Sequence, residues 1–416
     1  MHKYSKNLNK VIYRASIVNP INSSRCSFYK DGGLLIDNGV IEEVNCFDNV
    51  LKNASPDVPV IELNGVISPG FVDVHLHWVQ YKVKGLYSGE LLTWLRESIW
   101  PEESHYVDVE LATSAARNFY DDLLRAGTVM GLSYSSPHAH ATQIAIDLMR
   151  GDWVVGNVLM GINAPNYLTD FSLHDSDTLK AFMSNIDLRH YAVTPRFAPN
   201  LSQFQLKALG EIAIDSGVII QTHLAESREE VEWVRKLFPE ADNYTDVYDR
   251  AGLLGRKTVL GHCIEMSDSE WRCLAERGCW VAHCPTSNEA LGNRRMPLEK
   301  LREYNIPYAL ATDIGAGPSH SMLHVLQRFL SLHRDAGVNI DHEDALYRAT
   351  LAGAEAMGRG LIAGNLCAGK RADFILLPGM GPRDHWAGWL EDCISGSMSE
   401  LETRPLGTWL GGKKVS

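Results

Sequence analysis

The sequence lacks the features that mark secreted, membrane-spanning and disulfide-stabilised proteins. Its first ten residues, MHKYSKNLNK, are polar and do not contain the apolar stretch of a signal peptide. No apolar run approaches the roughly 20 residues that a transmembrane helix needs. The 8 cysteines are scattered and include no Cys-x-x-Cys pair, so we expect them to be reduced and mostly buried. These absences predict a soluble, cytoplasmic protein with no membrane partner.

Two further features restrict the class of binding partner and the type of metal site. The net charge is −12 and the pI is near 5.7, which disfavours a polyanionic partner such as nucleic acid. The cytidine-deaminase type of zinc site needs His-x-Glu followed by Pro-Cys-x-x-Cys, and the sequence from Cys284 to Ser287 does not supply it. We therefore predict a small-molecule partner and no nucleic acid.

The most informative feature that is present is the segment 68–80, which reads SPGFVDVHLHWVQ. Side chains alternate along a strand, so His75 and His77 point to the same face and can offer two nitrogens to one cation. With 16 histidines in 416 residues, about 0.6 His-x-His pairs are expected by chance. His138 and His140 form a second pair, which we interpret as loop histidines. The first pair differs because a buried strand precedes it and matching partners follow.

Four later segments repeat the pattern of a short apolar run that ends in polar side chains. They are VIIQTHLAE at 218–226, TVLGH at 258–262, WVAHCPTSN at 280–288 and PYALATD at 307–313, and they deliver His223, Glu226, His262, His283 and Asp313. In a parallel eight-stranded barrel, the carboxyl ends of all strands open onto one face, where catalytic groups meet. The spacing predicts an amphipathic helix over 108–125, and such helices alternate with the strands as a barrel requires.

Ser-x-x-Gln and Ser-x-x-Glu patterns mark the starts of three further helices. They lie at 202–205, 227–230 and 267–270, and each predicts a capping box in which side chains satisfy the first free amides. The second pattern places Glu226 at a strand-to-helix turn, where it can face a bound substrate.

The two ends of the chain read as β-rich segments. Strands are predicted over 11–18, 33–44, 371–377 and 408–415, with Asp37-Asn-Gly39 as a hairpin turn. The predicted fold class is therefore α/β. It comprises a metal-dependent (β/α)8 TIM-type barrel over 66–364 and a smaller β unit formed by 1–65 and 365–416.

The chain resembles the amidohydrolase superfamily and, within it, the barrel-type guanine deaminases. The resemblance runs from Gly39 to 411–413. It rests on PGFVDVHLH at 69–77, TPRFAP at 194–199, QTHLAE at 221–226, AHCPTSN at 282–288 and ATDIGAG at 311–317. Many amidohydrolases share the first and last motifs, whereas TPRF and Gln80 point to guanine. The resemblance implies that the chain ends form a small β-sandwich and that the protein is a homodimer.

The resemblance also implies a mononuclear metal site. Its ligands would be His75, His77, His223 and Asp313. Zinc favours imidazole nitrogen and carboxylate oxygen, and a catalytic zinc keeps one position open for water. We expect one Zn²⁺ per chain, with Fe²⁺ as the alternative metal. A second ion is not expected, because binuclear relatives have a bridging lysine or acid where this chain has Arg196, which cannot lose its proton.

The reaction that the resemblance implies is hydrolytic loss of ammonia from C2 of guanine, which gives xanthine. Glu226 would take a proton from the attacking water and deliver it to the adjacent ring nitrogen, while Asp313 would align the water and His262 would hydrogen-bond the attacking oxygen. The expected substrate-binding residues are Gln80, Arg196, Phe197, His77 and His223. Arg196 offers a fork of donors for the purine O6, and Gln80 carries both a donor and an acceptor for the amide-like edge.

Two departures from the guanine deaminase pattern leave other substrates open. Residues 160–165 lack the acidic–basic pair usual before Asn-Ala-Pro, and residues 288–296 are more polar than expected. The alternative is deamination of a related aminated heterocycle such as a pterin, 8-oxoguanine or a triazine. A third hypothesis is a metal-free scaffold or binding protein, which retention of all the ligands and Glu226 disfavours. The sequence leaves the roles of His283 and His320 open.

Overall fold

The structure, a computed structural model, describes residues 10–87, 91–379 and 385–416. In this part of the chain the strands are β1 (Lys10–Asn22), β2 (Arg25–Asp37), β3 (Val40–Cys46), β4 (Val60–Pro69), β5 (Phe71–His77), β6 (Thr128–Ser135), β7 (Asp152–Leu159), β8 (Ala192–Pro195), β9 (Ile219–Leu224), β10 (Thr258–His262), β11 (Trp280–His283), β12 (Tyr308–Leu310), β13 (Phe374–Leu377), β14 (Gly407–Leu410) and β15 (Lys413–Lys414). They form a parallel sheet of eight strands and a mixed sheet of seven.

The helices of the described residues mostly follow the barrel strands. They are α1 (Phe47–Asn53), α2 (Leu91–Trp94), α3 (Trp100–Ser104), α4 (Val109–Arg125), α5 (Ala139–Asp147), α6 (Asn166–Thr169), α7 (Ser176–Met183), α8 (Gln203–Ser216), α9 (Arg228–Leu237), α10 (Tyr244–Arg250), α11 (Asp268–Arg277), α12 (Pro285–Ala290), α13 (Leu298–Glu303), α14 (Met322–Asp335), α15 (His342–Arg348), α16 (Leu351–Ala356), α17 (Trp386–Cys393) and α18 (Met398–Glu402). Short 3₁₀ turns lie at Trp78–Val83, His105–Val107, Leu188–His190 and Ala198–Asn200, and a π-helical turn lies at Leu95–Ile99. None of the helices described is long and apolar enough to cross a bilayer.

The eight parallel strands β5 to β12 are paired in sequence order, with helices between them. Backbone bonds bring the end of the last strand beside the first: Asp313 N donates to His75 O at 2.8 Å, and His77 N donates to Ile314 O. Because all eight strands run in one direction, their carboxyl ends open onto the same face. The predicted α/β barrel is confirmed.

Helix α4 shows how the sequence specifies the barrel's outer layer. The Asp108 carboxylate accepts hydrogen bonds from the amides of Glu110 and Leu111 and so caps the first turn. One side chain per turn is buried, from Ala112 through Ala116 and Tyr120 to Leu124, with Phe119 and Leu123 beside them. Gly127, at φ 87°, then turns the chain into β6. The helix predicted over 108–125 is therefore present at that position.

Two of the three predicted capping boxes form completely, at Ser202 with Gln205 and at Ser267 with Glu270. At the third, Ser227 caps α9, but the Glu230 side chain does not return to the Ser227 amide. It accepts instead from Glu226 N at 2.8 Å and from the Tyr244 hydroxyl at 2.7 Å. The prediction for 227–230 was wrong in this respect, because a buried tertiary partner competes with the local one.

The chain ends form the mixed sheet, in the strand order β15-β14-β13-β4-β1-β2-β3. Strand β4 pairs with β13 up to Pro69, four residues beyond the predicted boundary. Val40 on the edge strand β3 forms a bridge with Arg371, just ahead of β13, so the sheet curls back on itself over a shared apolar core. This curled sheet is the small unit predicted from the two ends.

Candidate active site

A pocket opens at the carboxyl ends of the barrel strands. It is lined by His77, Gln80, Leu91, Trp94, Leu95, Arg196, Phe197, His223, Glu226, Glu230, His262, Asp313 and Ala316. His75 adjoins it, since its Nε2 lies 3.4 Å from Asp313 Oδ1. The structure thus brings every residue predicted for metal binding, catalysis or substrate contact to one place.

Histidines and carboxylates converge on one side of this set. His77 Nε2 lies 3.3 Å from His223 Nε2 and 3.6 Å from Asp313 Oδ1. In the described part of the chain, two groups have all their ligand atoms within 4.8 Å of one another. They are His75, His223 and His262, and His75, Cys284 and Asp313. The Cys284 thiol was not predicted to lie here. A cluster of this composition is a candidate metal centre.

The protonation states of these groups suit a cation. Burial lowers the pKa values of His75, His77 and His223 below the ordinary histidine value, so the rings are neutral and can act as ligands. His223 Nδ1 donates to the Arg196 carbonyl oxygen at 2.6 Å, which leaves the Nε2 lone pair free. Burial raises the pKa of Asp313, but His75 and other neighbours lower it more, so the carboxylate is ionised. The buried His75 Nε2 has no hydrogen-bond partner among the described residues. The residues therefore fit a divalent metal ion.

The backbone is unusual where these side chains emerge. Ala225, His262 and Asp313 have φ values of 51°, 69° and 52°, in the left-handed region that non-glycine residues seldom occupy. Such conformations cluster at functional sites, where tertiary contacts hold them in place.

Gly261 is required for a steric reason. A Cβ at this position would lie 2.7 Å from His75 Cε1, so only glycine lets the ring approach β10.

Glu226 is 4% exposed and sits beside the histidine cluster. Its Oε2 lies 3.5 Å from His262 Nε2, and its Oε1 accepts from Asn293 Nδ2 at 3.2 Å. The Glu226 amide is fixed by Glu230. Burial raises the pKa of Glu226 to about 8. A carboxyl group with a pKa near neutrality can both accept and release a proton.

His262 is oriented by the segment 288–296, which is more polar than the guanine deaminase pattern led us to expect. Its Nδ1 donates to Asn288 Oδ1 at 3.0 Å, which turns Nε2 toward Glu226. Burial lowers the pKa of His262, but the carboxylates of Glu226 and Asp313 more than offset this effect and raise it above the ordinary value. With Asn288 on His262 and Asn293 on Glu226, residues 288–296 hold both groups in position.

A second cluster, which the sequence did not predict, joins two of the residues expected to bind substrate. Glu103 on α3 is fully buried. Arg196 Nη1 donates to both of its carboxylate oxygens, at 2.8 and 2.7 Å, and Gln80 Nε2 donates to Oε1 at 2.7 Å. We call Glu103, Arg196 and Gln80 the recognition clamp. No local sequence pattern marks Glu103, which lies 93 positions from Arg196 along the chain.

The rest of the pocket wall is apolar. Phe197 is 4% exposed, and its ring meets that of Trp233 edge to face at 5.7 Å. Leu91, Trp94 and Leu95 line the pocket from the segment between β5 and α4. The Trp94 indole donates to the Leu86 carbonyl at 2.6 Å, which anchors it. A flat ring with one polar edge matches a pocket that combines the clamp with such a wall.

Four other histidines considered from the sequence contact neighbouring protein groups. His283 Nε2 lies 2.8 Å from His333 Nε2, packed against the Phe329 ring. His320 Nδ1 lies 3.0 Å from Lys84 Nζ and 3.3 Å from a Glu402 oxygen. His138 Nδ1 bonds Ser136 Oγ, and His140 Nε2 bonds the carbonyls of Tyr106 and Val107. None of these four histidines lines the pocket, and His140 lies in α5 rather than in a loop.

A parallel barrel whose first strand ends in two histidines, and whose last strand leads into an aspartate beside them, defines a class of barrel hydrolase. The model of the amidohydrolase family matches residues 66–403, and the chain belongs to this family.

Similar proteins with known structures and sequences agree with this assignment. The chain is 35% identical to the guanine deaminase of Escherichia coli (strain K12) over 365 residues, which cover 85% of this chain and 83% of that one. The solved structure of E. coli guanine deaminase has a TM-score of 0.88 at 30% identity, over 98% of this chain and 99% of the other. Guanine deaminase from C. acetobutylicum, solved with guanine bound in its active site, has a TM-score of 0.89 at 26% identity, over 98% and 100% of the chains. The resemblance inferred from the motifs is confirmed.

Proposed function

We propose that the protein catalyses the hydrolytic deamination of guanine to xanthine and ammonia. The observation that carries the proposal is that one pocket is lined both by Glu226, beside the histidine–aspartate cluster, and by Gln80 and Arg196 of the recognition clamp. The similarity to guanine deaminases over most of the chain supports it, and one of those proteins holds guanine in its active site.

We propose His75, His77, His223 and Asp313 as the ligands of one zinc ion per chain, with Fe²⁺ as the alternative metal. Imidazole nitrogen and carboxylate oxygen are ligands that zinc prefers. Cys284 is left out of the set because its thiol donates to the Ala282 carbonyl at 3.6 Å and so retains its proton. When bound, a divalent ion lowers the pKa of a coordinated water to about 7.

The carboxylate of Glu226 then takes one proton from the attacking water and delivers it to N3, beside the attacked C2. His262 Nε2, which Asn288 aims toward Glu226, hydrogen-bonds the oxygen as it adds to C2. Asp313 aligns the water before attack. The remaining hydroxyl proton leaves with the amino group as ammonia, the C2–N bond breaks, and C2 keeps the water oxygen as the carbonyl of xanthine.

The substrate ring would lie between the clamp and the apolar wall. Arg196 donates to O6, and Gln80 contacts the neighbouring N1–H. Phe197 supports one face of the ring, while His77 and His223 border the pocket near C2. Adenine presents an amino group in place of O6 and would leave buried donors unpaired. Pockets of this kind reject such analogues by factors of about 10⁴–10⁵.

The test is ammonia release by the purified, zinc-loaded protein from guanine, adenine, 8-oxoguanine, pterins and triazines. We expect guanine to be preferred over adenine by about 10⁴-fold or more in kcat/KM. Release from a pterin or a triazine but not from guanine would contradict the substrate and leave hydrolytic deamination standing. If no compound released ammonia, the result would contradict an enzymatic function and favour the hypothesis of a metal-free scaffold or binding protein.

A further inference from the structure

We propose that Glu103 is a positioning residue that fixes the hydrogen-bonding polarity of the recognition clamp. It makes the pocket select a ring carbonyl with an adjacent N–H over an amino group with an adjacent bare ring nitrogen. The inference deepens the proposed function and rests on it, since it takes Arg196 and Gln80 to face the substrate.

The clamp is a buried unit held by one carboxylate. Glu103, Gln80 and Arg196 are 0%, 2% and 3% exposed. Glu103 Oε1 accepts from both Gln80 Nε2 and Arg196 Nη1, and Oε2 accepts from Arg196 Nη1. Charge-assisted hydrogen bonds are among the strongest in proteins, and in a buried site water does not replace them. Both side chains are therefore held in one orientation before substrate arrives.

Glu103 fixes the orientation of the Gln80 side-chain amide. An ionised carboxylate only accepts hydrogen bonds, so Gln80 must turn its Nε2 toward Glu103 and its Oε1 away from it. A flipped amide would set two acceptors against each other. Gly315 makes room for this arrangement, because a Cβ there would lie 2.7 Å from Gln80 Cβ and 3.1 Å from Oε1. Gln80 consequently presents an acceptor to the pocket.

Glu103 also determines which nitrogens of the Arg196 guanidinium remain available to donate hydrogen bonds. The carboxylate binds Nη1, and no other described residue bonds the guanidinium, so Nε and Nη2 are left as donors. Since the guanidinium charge is balanced by Glu103, the clamp offers a donor beside an acceptor with no net charge. A neutral lactam edge, with C=O next to N–H, is complementary to this pair. An amino group next to an unprotonated ring nitrogen would place a donor against the Arg196 donor and an acceptor against the Gln80 acceptor.

The test is calorimetric binding of two ligands to the zinc-loaded protein. Xanthine carries the C6 carbonyl and N1–H, whereas 2,6-diaminopurine carries the reversed pattern at the same two positions. Glu103→Gln gives position 103 both a donor and an acceptor, so the Gln80 amide is free to turn. We expect the affinity for xanthine to fall by about 10- to 100-fold, as for loss of a charge-assisted hydrogen bond, with no parallel fall for 2,6-diaminopurine. Glu97→Gln, an exposed position in the same segment, should leave both affinities unchanged.

Equal loss of affinity for both ligands, or no change for either, would overturn the proposal. Glu103→Asp keeps an acceptor-only group and should keep the preference for xanthine. If neither Glu103 variant retains the wild-type circular dichroism and metal content, Glu103 is a structural residue and the proposal is wrong. Calorimetry needs no turnover, so failure of the wild-type protein to release ammonia from guanine would contradict the proposed function without deciding this test.

Discussion

Replacing Glu226 with glutamine (Glu226→Gln) is expected to lower kcat for ammonia release from guanine by about 10²–10⁴-fold. The amide keeps the size of the side chain and its contact with Asn293, but it cannot take a proton from water. Because the variant leaves the proposed metal ligands and the recognition clamp intact, zinc content and KM should stay near the wild-type values. Steady-state kinetics combined with metal analysis checks the expectation.

The matched control is Glu229→Gln, the same change at an exposed position of α9 three residues further along. It should leave kcat at the wild-type value. If Glu226→Gln retained kcat while binding zinc, another group would have to be the proton carrier. If it lost zinc, Glu226 would have to be counted with the metal ligands.

The second large effect is expected at Arg196. Arg196→Met removes the donors proposed for O6, which predicts a fall in kcat/KM for guanine of about 10²–10⁴-fold, the equivalent of two hydrogen bonds from a charged group. The change also leaves the fully buried Glu103 carboxylate without its cation. Removing one partner of a buried ion pair typically costs about 3–5 kcal/mol, so the free energy of unfolding should fall by that amount. Denaturant unfolding and initial rates measure the two quantities.

The double variant Arg196→Met/Glu103→Gln separates these two effects. Removing both charges of a buried pair is often close to neutral for stability, so most of the lost unfolding free energy should return. The activity should not return, because the O6 donors are still missing. Arg228→Met, at a side chain that is 70% exposed, is the control and should change neither quantity appreciably. Recovery of activity in the double variant would contradict a role for Arg196 in substrate binding.

The sequence predicted the parts of the site that strand periodicity determines. His75 and His77 alternate along β5, and Asp313 follows β12, so the barrel topology alone brings them to one face. Asp108 and the repeat of apolar residues in α4 are equally local signals. The strands of the small unit were predicted from the hairpin at Gly39 and from the β-rich ends, whereas their combination into a sandwich was implied by the family resemblance.

The parts that were missed depend on tertiary partners. Glu103 lies in a short helix, and its role comes only from contact with Arg196 and Gln80. Glu230 matched a local capping pattern, yet its carboxylate bonds Glu226 N and Tyr244 instead. Sequence patterns report which residues share a face, whereas these contacts depend on which elements meet. The homodimer and the cytoplasmic location stay predictions, which sedimentation and cell fractionation would test.

The central claim is that four side chains, from three separate strand ends, hold one catalytic metal ion. Anomalous diffraction from zinc-loaded crystals tests it most directly. We predict a single strong peak about 2.0–2.2 Å from nitrogens of His75, His77 and His223 and from an Asp313 oxygen. A zinc peak at another position, for example beside Cys284, would contradict this assignment. Full activity in protein shown to be free of metal would contradict it as well.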